Sequence, residues 1–220
     1  MMFRGFLTRE DAGHQLGQRL AAMHIDAPLV LALPRGGVPV AVQVAKALHA
    51  PLYLILVRKI GVPWQPELAA AAVVDGERPD LVLNEEVTSS LGLERSEIER
   101  LMEPELVEIE RRRRLYRGDQ LPEMVAGRTA IVVDDGIATG TTVRAALTAL
   151  RRRNPKRLIL AVPVAPKDTL AALEPEVDDL ICLQQPSPFH AVGLYFADFH
   201  QIEDDEVVAL MRTARGDASS

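Results

Sequence analysis

The chain reads as an α/β protein, a mostly parallel sheet with helices on both faces. Three observations predict this. Short apolar runs at 29–33, 52–57, 157–164 and 180–183 alternate with stretches whose apolar residues recur at helical spacing, the order that builds parallel strands joined by crossover helices. Ala130-Ile131-Val132-Val133 is an unbroken run rich in β-branching, as expected of a strand covered on both faces. Residues 61–84 break the alternation, with turn-forming residues between two apolar runs, and predict an antiparallel hairpin beside the main sheet.

Bulk properties narrow the function classes. The 220 residues suffice for one domain with a sizeable core, and 48% hydrophobic with 25% charged residues is ordinary for a globular chain. A net charge of −6 argues against general nucleic-acid binding. The single cysteine, Cys182, sits in an apolar run and is expected as a buried, reduced thiol. The first eight residues lack the apolar core of a signal peptide, and no apolar run of about 18 residues is present. A cytoplasmic protein with no membrane partner is therefore expected.

In chain order, Thr8 caps a first helix with Ala12, Leu16, Leu20 and Met23 on one face, and Asp26-Ala27-Pro28 ends it. The strand at 29–33 runs into Pro34-Arg35-Gly36-Gly37 and a helix with Pro39 in its first turn. Such a strand–glycine–helix unit is either a plain turn or an anion site. The next strand, 52–57, ends in Arg58-Lys59. Cations there face the crevice where open sheets bind ligands, or are simply solvated charges. The loop at 61–66 carries the only tryptophan, Trp64, expected as a packing residue. Hairpin strands at 69–74 and 81–83 flank the turn Asp75-Gly76-Glu77-Arg78-Pro79-Asp80.

Asn84 caps a short helix ending at Gly92, and Ser96 with Glu99 reads as the capping box of a longer helix to about Tyr116, kinked at Pro104. Its four arginines, 111–114, could suggest nucleic acid. Glu108 and Glu110 stand four residues before Arg112 and Arg114, however, which favours an ion-paired face. After the central strand and its helix come a strand at 157–164, a helix at 167–173 and a last strand at 180–183. Residues 184–196 then place three aromatic side chains, Phe189, Tyr195 and Phe196, in a chain only 4% aromatic. Rings there either pack or stack on a flat ligand. A helix from 204 to 211 closes the chain, and 216–220 should be a frayed tail.

The central stretch, residues 129–142, is the most informative. A buried strand delivers Asp134 and Asp135 to its end, followed by Gly136, Ala138, Thr139, Gly140, Thr141 and Thr142 and then a helix with Val143, Ala146, Leu147 and Leu150 on one face. Glycines admit close backbone approach, and threonines with free N–H groups at a helix start form a phosphate site. Paired carboxylates suit a vicinal diol, since each accepts hydrogen bonds from hydroxyls. Phosphate plus diol describes a ribose 5-phosphate. Four apolar residues, two acids, a short linker and T-G-T-T closely resemble the PRPP-binding motif of the type I phosphoribosyltransferases.

That resemblance, which covers about residues 29–196, implies a single domain over 1–220. Its core would comprise about 8–60 and 127–183, with a loop, hairpin and helical insertion at 61–126 and a small hood-like segment at 184–213. It implies that Asp134 and Asp135 hold the ribose hydroxyls and Gly136–Thr142 the 5-phosphate. Arg35, Gly36 and Gly37 become the pyrophosphate loop, with unusual backbone geometry around Arg35. Arg58 and Lys59 become catalytic contacts to pyrophosphate, and the hairpin a lid over PRPP. Phe189 and Tyr195 become base-stacking candidates. Mg²⁺ would be held mainly through PRPP and water, with Asp134 or Asp135 as a protein ligand. Implied partners are PRPP and an unidentified base, with a homodimer compatible. The expected activity is transfer of the 5-phosphoribosyl group to a nitrogen nucleophile; the alternative is a PRPP-binding regulator without turnover. Ala138 stands where several 6-oxopurine enzymes of the family carry an aspartate, so the motif assigns no general base. A phosphoaspartyl receiver or phosphatase-like protein would need a lysine or acid set that the sequence does not place.

Overall fold

The computed structural model describes residues 5–76, 78–117 and 124–217. Glu77 of the predicted turn, 118–123 of the predicted insertion and 218–220 of the predicted tail lie outside them. The elements in order are α1 (Arg9–Ala21), β1 (Pro28–Ala32), α2 (Gly37–Leu48), β2 (Leu52–Leu54), β3 (Val57–Val62), β4 (Gln65–Val74), β5 (Asp80–Leu83), α3 (Glu85–Leu91), α4 (Arg95–Arg117), β6 (Thr129–Val133), α5 (Thr141–Arg152), β7 (Arg157–Val164), α6 (Lys167–Leu173), β8 (Asp179–Gln184) and α7 (Asp204–Asp217).

Five strands form a wholly parallel sheet in the order β2-β1-β6-β7-β8. Alternate side chains feed two cores, as a period of two requires. Val30, Ala32, Ile131, Val133, Ile159 and Ala161 pack under α1, α2, α4 and α7. Leu29, Leu31, Ala130, Val132, Leu158 and Leu160 pack against α5 and α6. Helices cover both faces, which explains why these strands read as continuous apolar runs. The chain winds outward from β1 to β2 and, after the insertion, from β6 to β8 in the other direction. The winding reverses between β1 and β6, where Ala32 pairs with Val133, so the loops that leave these strands lie side by side. Ligands of open α/β sheets bind at such a switch point.

The 52–57 strand of the sequence reading is divided. β2 stops at Leu54, and β3 begins at Val57 in a separate antiparallel sheet of order β3-β4-β5. The expected two-stranded hairpin is thus three-stranded, and Arg58 and Lys59 lie inside its first strand instead of at the end of a parallel one. The crossing between the sheets is secured by Asp75, which is 1% exposed. Its N–H donates to the Leu56 carbonyl (2.9 Å), and its Oδ1 accepts from the Leu56 N–H (3.1 Å). Trp64 sits at the hairpin tip and is 65% exposed, so it does not pack as expected.

Local signals mostly place the helices. Thr8 Oγ1 accepts from the Asp11 N–H, and Asn84 Oδ1 from the Val87 N–H, as capping demands. Gly92 ends α3 at φ +62°, a left-handed conformation that glycine adopts without strain. At α4 the capping pair lies two residues earlier than expected, with Glu97 accepting from the Glu94 N–H (3.0 Å) because the helix begins at Arg95. The helix continues through Pro104. The arginine run pairs along its own helix, Arg112 with Glu108 (2.6 Å) and Arg114 with Glu110 (2.9 Å). α7 extends past Met211 to Asp217, so Gly216 is helical instead of frayed. Among the described residues no helix is long and apolar enough to cross a membrane.

Candidate active site

The site forms where β1 and β6 end. Leu33 donates its N–H to the Val133 carbonyl (2.9 Å), which holds the P-R-G-G loop against the acid pair. The Pro34–Arg35 peptide is cis, the unusual geometry expected there. The two glycines are required by proximity. A Cβ on Gly36 would lie 2.1 Å from Asp135 Oδ2, and one on Gly37 2.8 Å from the Val133 carbonyl oxygen. Any other residue would push the two loops apart.

Burial and the neighbouring Asp135 carboxylate push Asp134 well above the usual carboxylate range, and the Asp135 N–H donates to Asp134 Oδ1 (2.9 Å). Burial also raises Asp135, offset by the guanidinium of Arg9, whose Nε donates to Asp135 Oδ2 at 2.8 Å. Arg9 is 6% exposed. It also donates from Nη1 to the His200 carbonyl (2.9 Å) and lies 3.8 Å over the Phe199 ring. Sequence reasoning missed Arg9. One signal was available: a cation in the first turn of a helix opposes the helix dipole and so implies a specific partner.

After the acids, Gly140 at φ +77° turns the chain into α5. This helix start has no side-chain cap and no acid in its first turn, so its N–H groups face the T-G-T-T loop ready for an anion. Thr169 Oγ1 donates to the Ala138 carbonyl (2.8 Å) and pins the loop from α6. A cleft of about 260 Å³ lies between Thr139, Gly140 and Thr141 on one side and the alanines of β4 on the other. The antiparallel sheet therefore sits over the predicted phosphate loop.

The structure separates the remaining candidates. In β3 successive side chains take opposite faces. Lys59 pairs with Ala72, which lines the cleft over the T-G-T-T loop, and is exposed. Arg58 is on the other face, held by Glu105 of α4 at 2.6 Å. Arg35 reaches away from its loop to Glu203 (3.2 Å) and Asp204 (3.6 Å). Phe189 and Tyr195 stack on each other, centroids 5.5 Å apart. In that segment it is Val192 that covers the acid-pair loop, 2.5 Å from where a Gly136 Cβ would stand. Gly193 beside it gives room to Phe199.

An acid pair and an uncapped helix start at the switch point of a parallel sheet, overhung by an antiparallel sheet, define an α/β protein of the type I phosphoribosyltransferase fold. The phosphoribosyl transferase domain matches residues 7–196, and the chain belongs to that family. A Mycobacterium tuberculosis protein, named as a candidate phosphoribosyl transferase, is 46% identical over 214 residues, 96% of this chain and 47% of the relative. The chain thus spans about half the length of the curated relatives it matches. A crystal structure from Thermus thermophilus superposes with a TM-score of 0.81 at 36% identity, covering 94% of this chain and 97% of that one. A Neisseria gonorrhoeae protein of unassigned function, crystallised with ppGpp, gives a TM-score of 0.52 at 14% identity over 98% of this chain and 99% of that one. The last likeness is one of fold alone.

Proposed function

We propose that the chain transfers the 5-phosphoribosyl group of PRPP to a nitrogenous base or similar nitrogen nucleophile and releases pyrophosphate. The observation that carries this reading is the packing of two loops at one place: Gly36 and Gly37 against Asp134 and Asp135, with the α5 start following directly in the second loop. The acids accept from the ribose hydroxyls, and the N–H groups of 139–142 hold the 5-phosphate. The glycine loop lets its backbone approach the pyrophosphate. As the sugar C1–oxygen bond breaks, its electron pair leaves with pyrophosphate while the incoming nitrogen bonds to C1 and gives up its proton. Lys59, exposed beside Ala72 on β3, would be the cation that meets the growing negative charge. Closure of the hairpin would keep water from the activated sugar.

The donor set fits a magnesium ion held mostly by its substrate. One oxygen of Asp134 accepts from the Asp135 N–H and one of Asp135 from Arg9, which leaves a single oxygen on each, and Mg²⁺ commonly takes one or two carboxylates with phosphates and water. When bound it supplies neutralisation of the pyrophosphate charge. Asp134 or Asp135 would be its protein contact.

Calorimetry with PRPP and ribose 5-phosphate, with and without Mg²⁺, tests the binding half, and pyrophosphate release across a panel of bases tests turnover. Saturable PRPP binding and release with at least one base are expected. Absence of PRPP binding would overturn the reading. Tight PRPP binding with no release for any acceptor would favour a regulator.

A further inference from the structure

We propose that Arg9 is a positioning residue that aims Asp135 at the ribose diol and ties the C-terminal segment to the sugar site. This rests on the reading of Asp134 and Asp135 as the diol site. Arg9 stands at the first position of α1, more than a hundred residues before either of its hydrogen-bond partners. Its planar guanidinium is fixed by three contacts from two segments distant in the chain. Nε meets Asp135 Oδ2 (2.8 Å), Nη1 meets the His200 carbonyl (2.9 Å), and the flat face rests on Phe199 at 3.8 Å. A forked cation held this way has little freedom to swing, so the carboxylate it grips has little either.

Asp135 is closed in from the opposite side as well. Gly36 approaches so nearly that a Cβ there would overlap Oδ2 at 2.1 Å and stand 3.1 Å from Oδ1. Oδ2 is therefore held between the glycine loop and Arg9. Oδ1 is the oxygen that Arg9 does not hold, and it is the one offered to a sugar hydroxyl. A lysine at this place could supply charge, but a compact ammonium cannot lie flat on the ring and bond both oxygens in the same plane. Phe199 and His200 belong to the segment that packs over Gly136 through Val192 and Gly193. Arg9 thus makes that segment's seat depend on the state of the acid pair.

The test is sugar discrimination. Affinities for ribose 5-phosphate and its 2-deoxy and 3-deoxy forms are measured on wild type, Arg9→Met and Arg9→Lys. In wild type both deoxy sugars should bind more weakly. In Arg9→Met at least one ribo-to-deoxy ratio should fall roughly tenfold or more, the size of one charge-assisted hydrogen bond, while the deoxy affinities change little. A ratio does not depend on the fraction of active protein, so partial misfolding cannot imitate the effect. Arg9→Lys should show a smaller fall in the same ratio. Equal weakening for all three sugars, or unchanged ratios, in Arg9→Met would make Arg9 purely structural. Full wild-type ratios in Arg9→Lys would overturn the positioning role and leave only a charge. Should Arg9→Met not fold, Arg9→Lys decides alone. Wild type that binds none of the sugars would instead strike the diol reading beneath this proposal.

Discussion

Two adjacent carboxylates at the end of a buried strand are a liability in the empty protein. Burial and Asp135 raise the folded pKa of Asp134 well above the usual 3.8. The unfolded chain therefore ionises first, and this group's contribution to stability is lost as pH rises through its folded pKa. Asp134→Asn removes the ionisation yet keeps an oxygen to accept the Asp135 N–H. At pH 7 its Tm should exceed that of wild type, and the gain should vanish below about pH 3.8. The same variant should bind ribose 5-phosphate roughly tenfold or more weakly, through loss of a charge-assisted bond. Thermal melts across pH with calorimetry beside them check both halves; a variant no more stable than wild type at pH 7 contradicts this account. A site that is costly without ligand is what selection for binding, as opposed to stability, leaves behind.

At the scale of elements, the telling case is β3. Read in sequence, Arg58 and Lys59 form one cationic pair. Inside an antiparallel strand they part onto opposite faces, Arg58 toward Glu105 on α4 and Lys59 exposed beside Ala72. Lys59→Ala should reduce kcat for pyrophosphate release by about 10²-fold, as for a preorganised charge acting in the transition state, with a smaller loss of PRPP affinity. Arg58→Ala should reduce kcat less and instead loosen α4 on the hairpin, by up to about 1 kcal/mol as a partly exposed ion pair. Steady-state kinetics and urea titration of both variants decide it. A larger kcat loss for Arg58→Ala would reverse the assignment. Ala69, Ala71 and Ala72 fit the same picture, since small side chains let the hairpin come down close over the T-G-T-T loop.

Across the whole molecule, charge joins elements far apart in the chain. Arg111 bridges Glu108 on its own helix (2.7 Å) and Asp204 at the start of α7 (3.2 Å), and the Tyr116 hydroxyl donates to the same Asp204. The Arg111 hydrogen bond, against a burial cost and with help from Arg112, lowers Glu108 from 4.5 to about 2. A depressed carboxylate adds stability above its unfolded pKa and loses it as pH falls to the folded one. Glu108→Gln should therefore be less stable than wild type by about 1 kcal/mol at neutral pH, allowing for solvent screening. The gap should close between pH 4.5 and about 2. Urea unfolding at stepped pH measures it, and a gap unchanged by pH would rule out the ion pair as its source.

The sequence alone determined much of this protein. The parallel strands, most helix ends, the acid pair and the helix start after it were legible because each is written in neighbours two to four residues apart: alternation, helical spacing, caps, glycine loops. The same locality explains the misreadings. Whether the 52–57 run was one strand or two depended on where a second sheet would sit, and Trp64 was left exposed because the hairpin tip carries it beyond any core. Arg9 and Asp135 are 126 residues apart. They meet only because β6 inserts beside β1 and draws the acid-pair loop to the start of α1. No periodicity records such a meeting; it follows from strand order, which the tertiary structure decided.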